Sequence, residues 1–86
     1  MEENNPRLKN TILQVVSNQL KMNKPPETKE TLHRLISEGY SKQKAKELIG
    51  VIVSTNIYEM LKDQHEFDKT KYIKDLKRLP KLSWED

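Results

Sequence analysis

Residues 41–63 read SKQKAKELIGVIVSTNIYEMLKD. Ala45, Leu48, Ile49, Ile52, Val53, Ile57, Met60 and Leu61 recur there at steps of three and four, which lays a broad apolar stripe along roughly five turns of helix. The Ser41 hydroxyl can accept one of the amides that a first helical turn leaves free, so it is the expected cap. A stripe this wide needs neighbours on more than one side, and the helix it defines is expected to be the longest and the central one. Gly50, inside it, costs about 0.5 to 1 kcal/mol relative to Ala. Its expected use is to let another backbone come close.

Three shorter helices follow from the flanking residues. Asn5-Pro6 is a helix start, and Leu8, Ile12, Val15, Val16 and Leu20 place the first helix over Pro6 to Met22. Pro25-Pro26 stops any continuation, Glu27 suits the positive end of a new helix, and Leu32, Leu35 and Ile36 give that helix one apolar face. Gly39 can take the left-handed conformation that ends it, with Tyr40 packing back over the last turn. Asp68 is a cap for a fourth helix whose Tyr72, Ile73, Leu76 and Leu79 share a side, Phe67 closes over its start, and Pro80 stops it. No run alternates in the manner of a strand. The expected fold is all-α: a compact bundle of four helices forming one domain over residues 1–80, with a short mobile tail over 81–86 that carries Trp84. Short connections make successive helices antiparallel, so the first and third run parallel.

Composition narrows the function classes. Eighty-six residues, 34% apolar and 34% charged, make one small domain with a lean core and little room for an interior pocket. Without cysteine there are no disulfides or thiolate metal sites, which suits a reducing cytoplasm. No secretory leader and no apolar run of about 20 residues is present, so no membrane association is expected. The net charge of +3 comes from 16 basic residues, 13 of them Lys, interspersed with acids. That balance favours solubility over recognition of nucleic acid, which calls for basic side chains gathered on one face.

Two four-residue stripes are the most informative polar pattern. Lys9, Leu13 and Ser17 on the first helix would face Glu47, Val51 and Thr55 on the third if the two lie parallel, giving an ion pair, an apolar pair and a hydroxyl pair. Gln19 and Asn56 interrupt otherwise apolar stripes, so each must find a hydrogen-bond partner if buried. Such residues also fix register or oligomeric state. Asn18 and Gln19 are alternatively suited to bind the backbone of the proline-rich turn.

The order Asn5-Pro6-x-Leu8, Asn18-Gln19, Pro25-Pro26, Gly50, Ile57-Tyr58 and Phe67-Asp68 with Tyr72 resembles a family of small bacterial proteins, the domain of unknown function numbered 1841. The resemblance covers nearly the whole chain up to about Pro80 and implies a helical domain without an assigned activity. The family typically carries NPxLHxxxH, and later HxxxDxxxE or HxxxExxxE, residues that look like metal ligands or a buried polar network. Here the matching positions are Lys9 and Leu13, then Glu47, Val51 and Thr55, with Ser17-Asn18 where an acid is typical. No histidine remains among them. A metal site in the family would therefore be lost in this chain, its face filled by side chains compatible with one another.

The remaining constellations are weak as chemistry. Glu30-x-x-His33 has the spacing used in di-iron bundles, but only one copy exists and His65 is isolated. A metal-binding bundle would have to draw on Glu27, Glu30, His33 and Glu47. Ser17, Ser41 and Ser54 lack a positioned base and an oxyanion hole. Lys69, Lys71, Lys74, Lys77 and Arg78 form the densest basic segment and could meet phosphates. We therefore expect a cytoplasmic, non-enzymatic helical module without cofactor, acting through contacts with an unidentified protein partner or as a homodimer. Nucleic-acid binding through the lysine-rich fourth helix is the alternative, and metal binding ranks below both.

Overall fold

The computed structural model of the chain describes residues 6–82. They form four helices and no strand: α1 (Pro6–Met22), α2 (Pro26–Ser37), α3 (Lys42–Asp63) and α4 (Lys69–Arg78). Asn5, expected to cap α1, and Trp84, with most of the expected tail, lie outside the described residues.

Local chemistry sets the ends. Pro26 opens α2 with Glu27 in its first turn. At the other end Gly39, at φ 109°, gives its amide to the Ile36 carbonyl and Tyr40 gives its amide to Leu35, the paired bonds of a Schellman ending. The Ser41 hydroxyl accepts from the Lys44 amide at 3.0 Å and the Asp68 carboxylate from the Lys71 amide at 3.0 Å, so both expected caps are formed. Phe67 meets Tyr72 edge to face with ring centroids 5.4 Å apart, an aromatic staple over the start of α4. α1 and α3 end without glycine, on Asn23 and Gln64, each at φ 55°.

Side-chain contacts give the directions. Lys9 reaches Glu47, and a β-carbon on Gly50 would meet Ile12 and then Leu13, so α1 and α3 run parallel. Asn56 with Asp75 and Glu59 with Lys71 make α3 and α4 antiparallel. Arg34 on the last carbonyls of α4 makes α2 and α4 parallel. α3 packs against each of the other helices, as expected of the central one, and α2 does so too. The backbones of α1 and α4 stay apart, bridged by side chains: among the described residues no Cα of one comes within 8 Å of a Cα of the other.

The core is Val16, Leu32, Leu35, Ala45, Ile49, Ile52, Val53, Tyr72, Leu76 and Leu79. Gly50 is a close-approach site, as its sequence context indicated, although what approaches is side chain: Cγ2 of Ile12 would lie 3.2 Å from an added β-carbon. Three residues read from their stripes as core are exposed instead, namely Leu8, Ile36 and Leu61. Leu61 lies in the last turn of α3, at the pole where α1 also ends.

Candidate interaction surfaces

The paired stripes meet at their first step. Lys9 Nζ lies 3.3 Å from Glu47 Oε2, and the amide of Gln43 donates to the same oxygen at 3.1 Å. The Gln43 bond first, and then Lys9, hold the Glu47 carboxyl below its ordinary range. Both partners are solvated, so the pair orients more than it stabilises. Leu13 meets α3 at Gly50, one residue before Val51. The third step does not form: Thr55 donates its hydroxyl to the Val51 carbonyl of its own helix at 3.0 Å, and no hydrogen bond joins it to Ser17. A threonine inside a helix has that carbonyl within reach one turn back, at no cost in ordering a second helix.

Gln19 is the acceptor of a node that ties three helices. Its Oε1 receives the Tyr72 hydroxyl at 2.7 Å and the Thr28 hydroxyl at 2.9 Å, while those two hydroxyls are 3.5 Å apart. Tyr72 and Thr28 are fully buried. Burial pushes the Tyr72 phenol above its ordinary range, and its bonds to Thr28 and Gln19 only partly offset this. The alternative partner, the backbone of the proline turn, is not taken: Gln19 side-chain bonds go to α2 and α4, and Asn18 accepts from Gln14 on its own helix.

Asn56 anchors a second network between α3 and α4. Its Nδ2 donates to the Ile52 carbonyl at 2.9 Å and to Asp75 Oδ2 at 3.2 Å. Lys71 Nζ completes it, 2.9 Å from the same Asp75 oxygen and 3.0 Å from Glu59 Oε1. Partial burial works against the Lys71 charge, but the bonds to Asp75 and Glu59 outweigh it and hold the ammonium above the usual lysine range. Every buried side-chain polar atom of the described residues has a partner.

This network changes the expected basic surface. Lys71 is committed to two carboxylates and half-buried, so it does not belong to a free lysine face of α4. Lys69, Lys74, Lys77 and Arg78 are exposed; at about 100° per residue Lys74, Lys77 and Arg78 share an arc of about 100° towards the end of the helix, and Lys69 stands apart at its start. Of the expected basic surface, Lys71 alone is withdrawn into carboxylates.

Sequence reasoning missed Arg34 altogether. Its guanidinium donates from Nη1 to the Leu79 carbonyl at 2.8 Å and from Nη2 to the Leu76 carbonyl at 3.1 Å, with Glu38 3.2 Å from Nη1. A cation from α2 thus caps the negative end of α4. Nothing local to Arg34 announces it, since its targets lie more than 40 positions away. Thr28 and Asp75 were more legible: Thr28 falls four before Leu32, and Asp75 falls three after Tyr72 and four before Leu79, inside the apolar arcs of their helices.

The other candidates are dispersed. Glu30 and His33 are exposed on α2, Glu47 is engaged with Lys9, and His65 Nδ1 faces the backbone carbonyl of its neighbour Glu66. Among the described residues no three His, Asp or Glu side chains are gathered where they could hold a metal ion. Ser41 is spent as a cap and Ser54 is exposed. No described helix is long and apolar enough to cross a membrane.

The large exposed apolar residues are unevenly placed. Met22, Tyr58, Leu61 and Phe67 are 63%, 64%, 68% and 39% exposed. All four belong to the pole where α1 and α3 end and α4 begins. Comparison with known protein families, with characterised proteins and with solved structures gives no match.

Proposed function

We propose that the chain is a small, non-enzymatic, cytoplasmic module that works through protein contacts, and that the partner its apolar pole fits is a second copy of itself. The observation that carries this reading is that Met22, Tyr58, Leu61 and Phe67, four of the six large exposed apolar residues, all fall at one end of a chain otherwise short of apolar residues. Removing such surface from water is favourable by roughly 25 cal/mol per Å². Charge favours a symmetric pairing there. The segments building that pole, 19–30 and 57–71, hold six basic and six acidic residues, so two copies meeting end to end meet no net repulsion.

The resemblance to the bacterial family numbered 1841 fits the same reading. At the positions where that family carries His and acid, this chain has Lys9, Leu13, Glu47, Val51 and Thr55, of which Lys9, Leu13 and Glu47 join α1 to α3 while Thr55 bonds the Val51 carbonyl of its own helix. Sedimentation equilibrium from micromolar to millimolar protein tests the proposal. The expected result is a monomer–dimer equilibrium that Leu61→Glu with Tyr58→Glu abolishes at unchanged helicity. A monomer throughout that range, or a dimer indifferent to both substitutions, would remove the basis for it.

A further inference from the structure

The opposite pole has a different character. It gathers the start of α1, the end of α2, the start of α3 and the end of α4, held together by Lys9 on Glu47 and by Arg34 on the carbonyls of Leu76 and Leu79. The segments that build it, 7–11, 34–48 and 76–82, contain nine basic residues and two acidic ones. Both acids are already engaged, Glu38 by Arg34 at 3.2 Å and Glu47 by Lys9 at 3.3 Å. Arg7, Lys42, Lys77 and Lys81 are exposed and make no ion pair among the described residues, and exposed Lys44 only lends its charge to Glu47. Four more acids, Glu2 and Glu3 before these segments and Glu85 and Asp86 after them, lie outside the described residues. Counted in full against this pole, they leave it positive.

We propose that this pole is a docking surface for the phosphate backbone of double-stranded nucleic acid, independent of the apolar pole and of self-association. Three features select that partner among polyanions. The free charges are mainly lysines, which meet phosphates as point charges and carry no base specificity. Tyr40, half-buried and packed on the core, is the sole aromatic residue in these segments, so among the described residues this pole offers no exposed stacking platform of the kind single strands need. Protein interfaces are depleted in lysine, and adsorption to anionic membranes wants a broad apolar face beside the charges, whereas these segments expose two large apolar residues, Leu8 and Ile36, against four at the other pole. The size also fits. Every principal dimension lies between 29 and 35 Å, so an end face spans about nine base pairs at 3.4 Å each.

This surface differs from the expected basic side of the fourth helix in being an end of the bundle. Lys77 belongs to both, while Lys71 is withdrawn into its carboxylates and Lys69 sits at the far pole.

Fluorescence anisotropy of the full chain with a labelled duplex of about 20 base pairs, between about 50 and 200 mM salt, tests it. Engaging four or five phosphates predicts a slope of log affinity on log salt of about −4. Replacing Lys42, Lys44, Lys77 and Lys81 by Gln is expected to weaken binding at the lowest salt at least tenfold. The charge-matched control, Lys21, Lys24, Lys62 and Lys69 to Gln, is expected to stay within about threefold of the parent, with helicity of both variants checked by circular dichroism. The proposal is overturned by absence of binding at low salt, by affinity indifferent to salt, or by equal losses in both variants. Tighter binding to polyglutamate or to vesicles containing anionic lipid than to the duplex would also overturn it. Repeating the titration with Leu61→Glu/Tyr58→Glu separates the two readings, because the nucleic-acid site predicts no change there.

Discussion

Replacing Gln19 by Ala should cost far more than its half-buried position implies, because one oxygen satisfies two buried donors. In the native protein Oε1 takes the Tyr72 hydroxyl at 2.7 Å and the Thr28 hydroxyl at 2.9 Å. Tyr72→Phe removes one of these bonds but strands nothing, since Oε1 keeps Thr28. The expected loss is that of a single net hydrogen bond, about 1 kcal/mol. Gln19→Ala instead leaves two buried hydroxyls with only each other, at 3.5 Å. An unsatisfied buried polar group costs about 1 to 3 kcal/mol, and lost side-chain packing adds to it, so about 2 to 4 kcal/mol is expected. In the double variant the phenol that Gln19→Ala strands is gone. Its loss should fall short of the sum of the singles by about 1 kcal/mol or more. Urea unfolding followed by far-UV circular dichroism reads all three, and at about 4 to 8 °C per kcal/mol a thermal melt resolves them as well. A Gln19→Ala loss no larger than that of Tyr72→Phe, or strictly additive losses, would refute the reasoning.

Three further predictions use the same assays. Arg34→Lys should lose about 1 to 2 kcal/mol, because a shorter side chain with one nitrogen lacks the planar fork whose Nη1 and Nη2 separately reach the carbonyls of Leu79 and Leu76; faster amide exchange confined to the end of α4 would identify the cause. Gly50→Ala should fall within about 0.5 kcal/mol of the parent, the helix-propensity gain being offset by Cγ2 of Ile12 at 3.2 Å from the new carbon, whereas Gly50→Val should cost about 1 to 3 kcal/mol. Folding should weaken in alkali. Lys71 and Tyr72 both titrate higher in the folded chain than their reference values of 10.5 and 10.0, so the folded form holds more protons in that interval and stability declines as pH rises through it. Lys71→Met and Tyr72→Phe should each flatten the alkaline limb of a stability–pH profile. Glu47 works in the other direction: its carboxyl is lowered from 4.5, so its small contribution is present above that pH and is lost in acid.

Taken by itself the sequence determined the four helices, their order and most of their ends, because those depend on neighbours a few positions apart. Ser41 and Asp68 cap within three residues, Gly39 ends its helix within four, and prolines stop the chain through their own rings. It also indicated that Gln19 and Asn56 would need partners if buried, and that Lys9 would face Glu47 if α1 and α3 ran parallel. What only the tertiary structure decided is which distant groups meet. Tyr72 with Gln19 and Arg34 with Leu79 are joined across more than 40 residues, and no periodicity encodes such distances. The same holds for the two poles: segments far apart in the chain, each with its own small basic excess or its own few exposed apolar residues, become a basic end and an apolar end because up-and-down packing brings four helix termini to each. Local backbone chemistry is written in adjacent residues, whereas a surface is a property of segments that touch, and contact across the chain is settled only when the core closes.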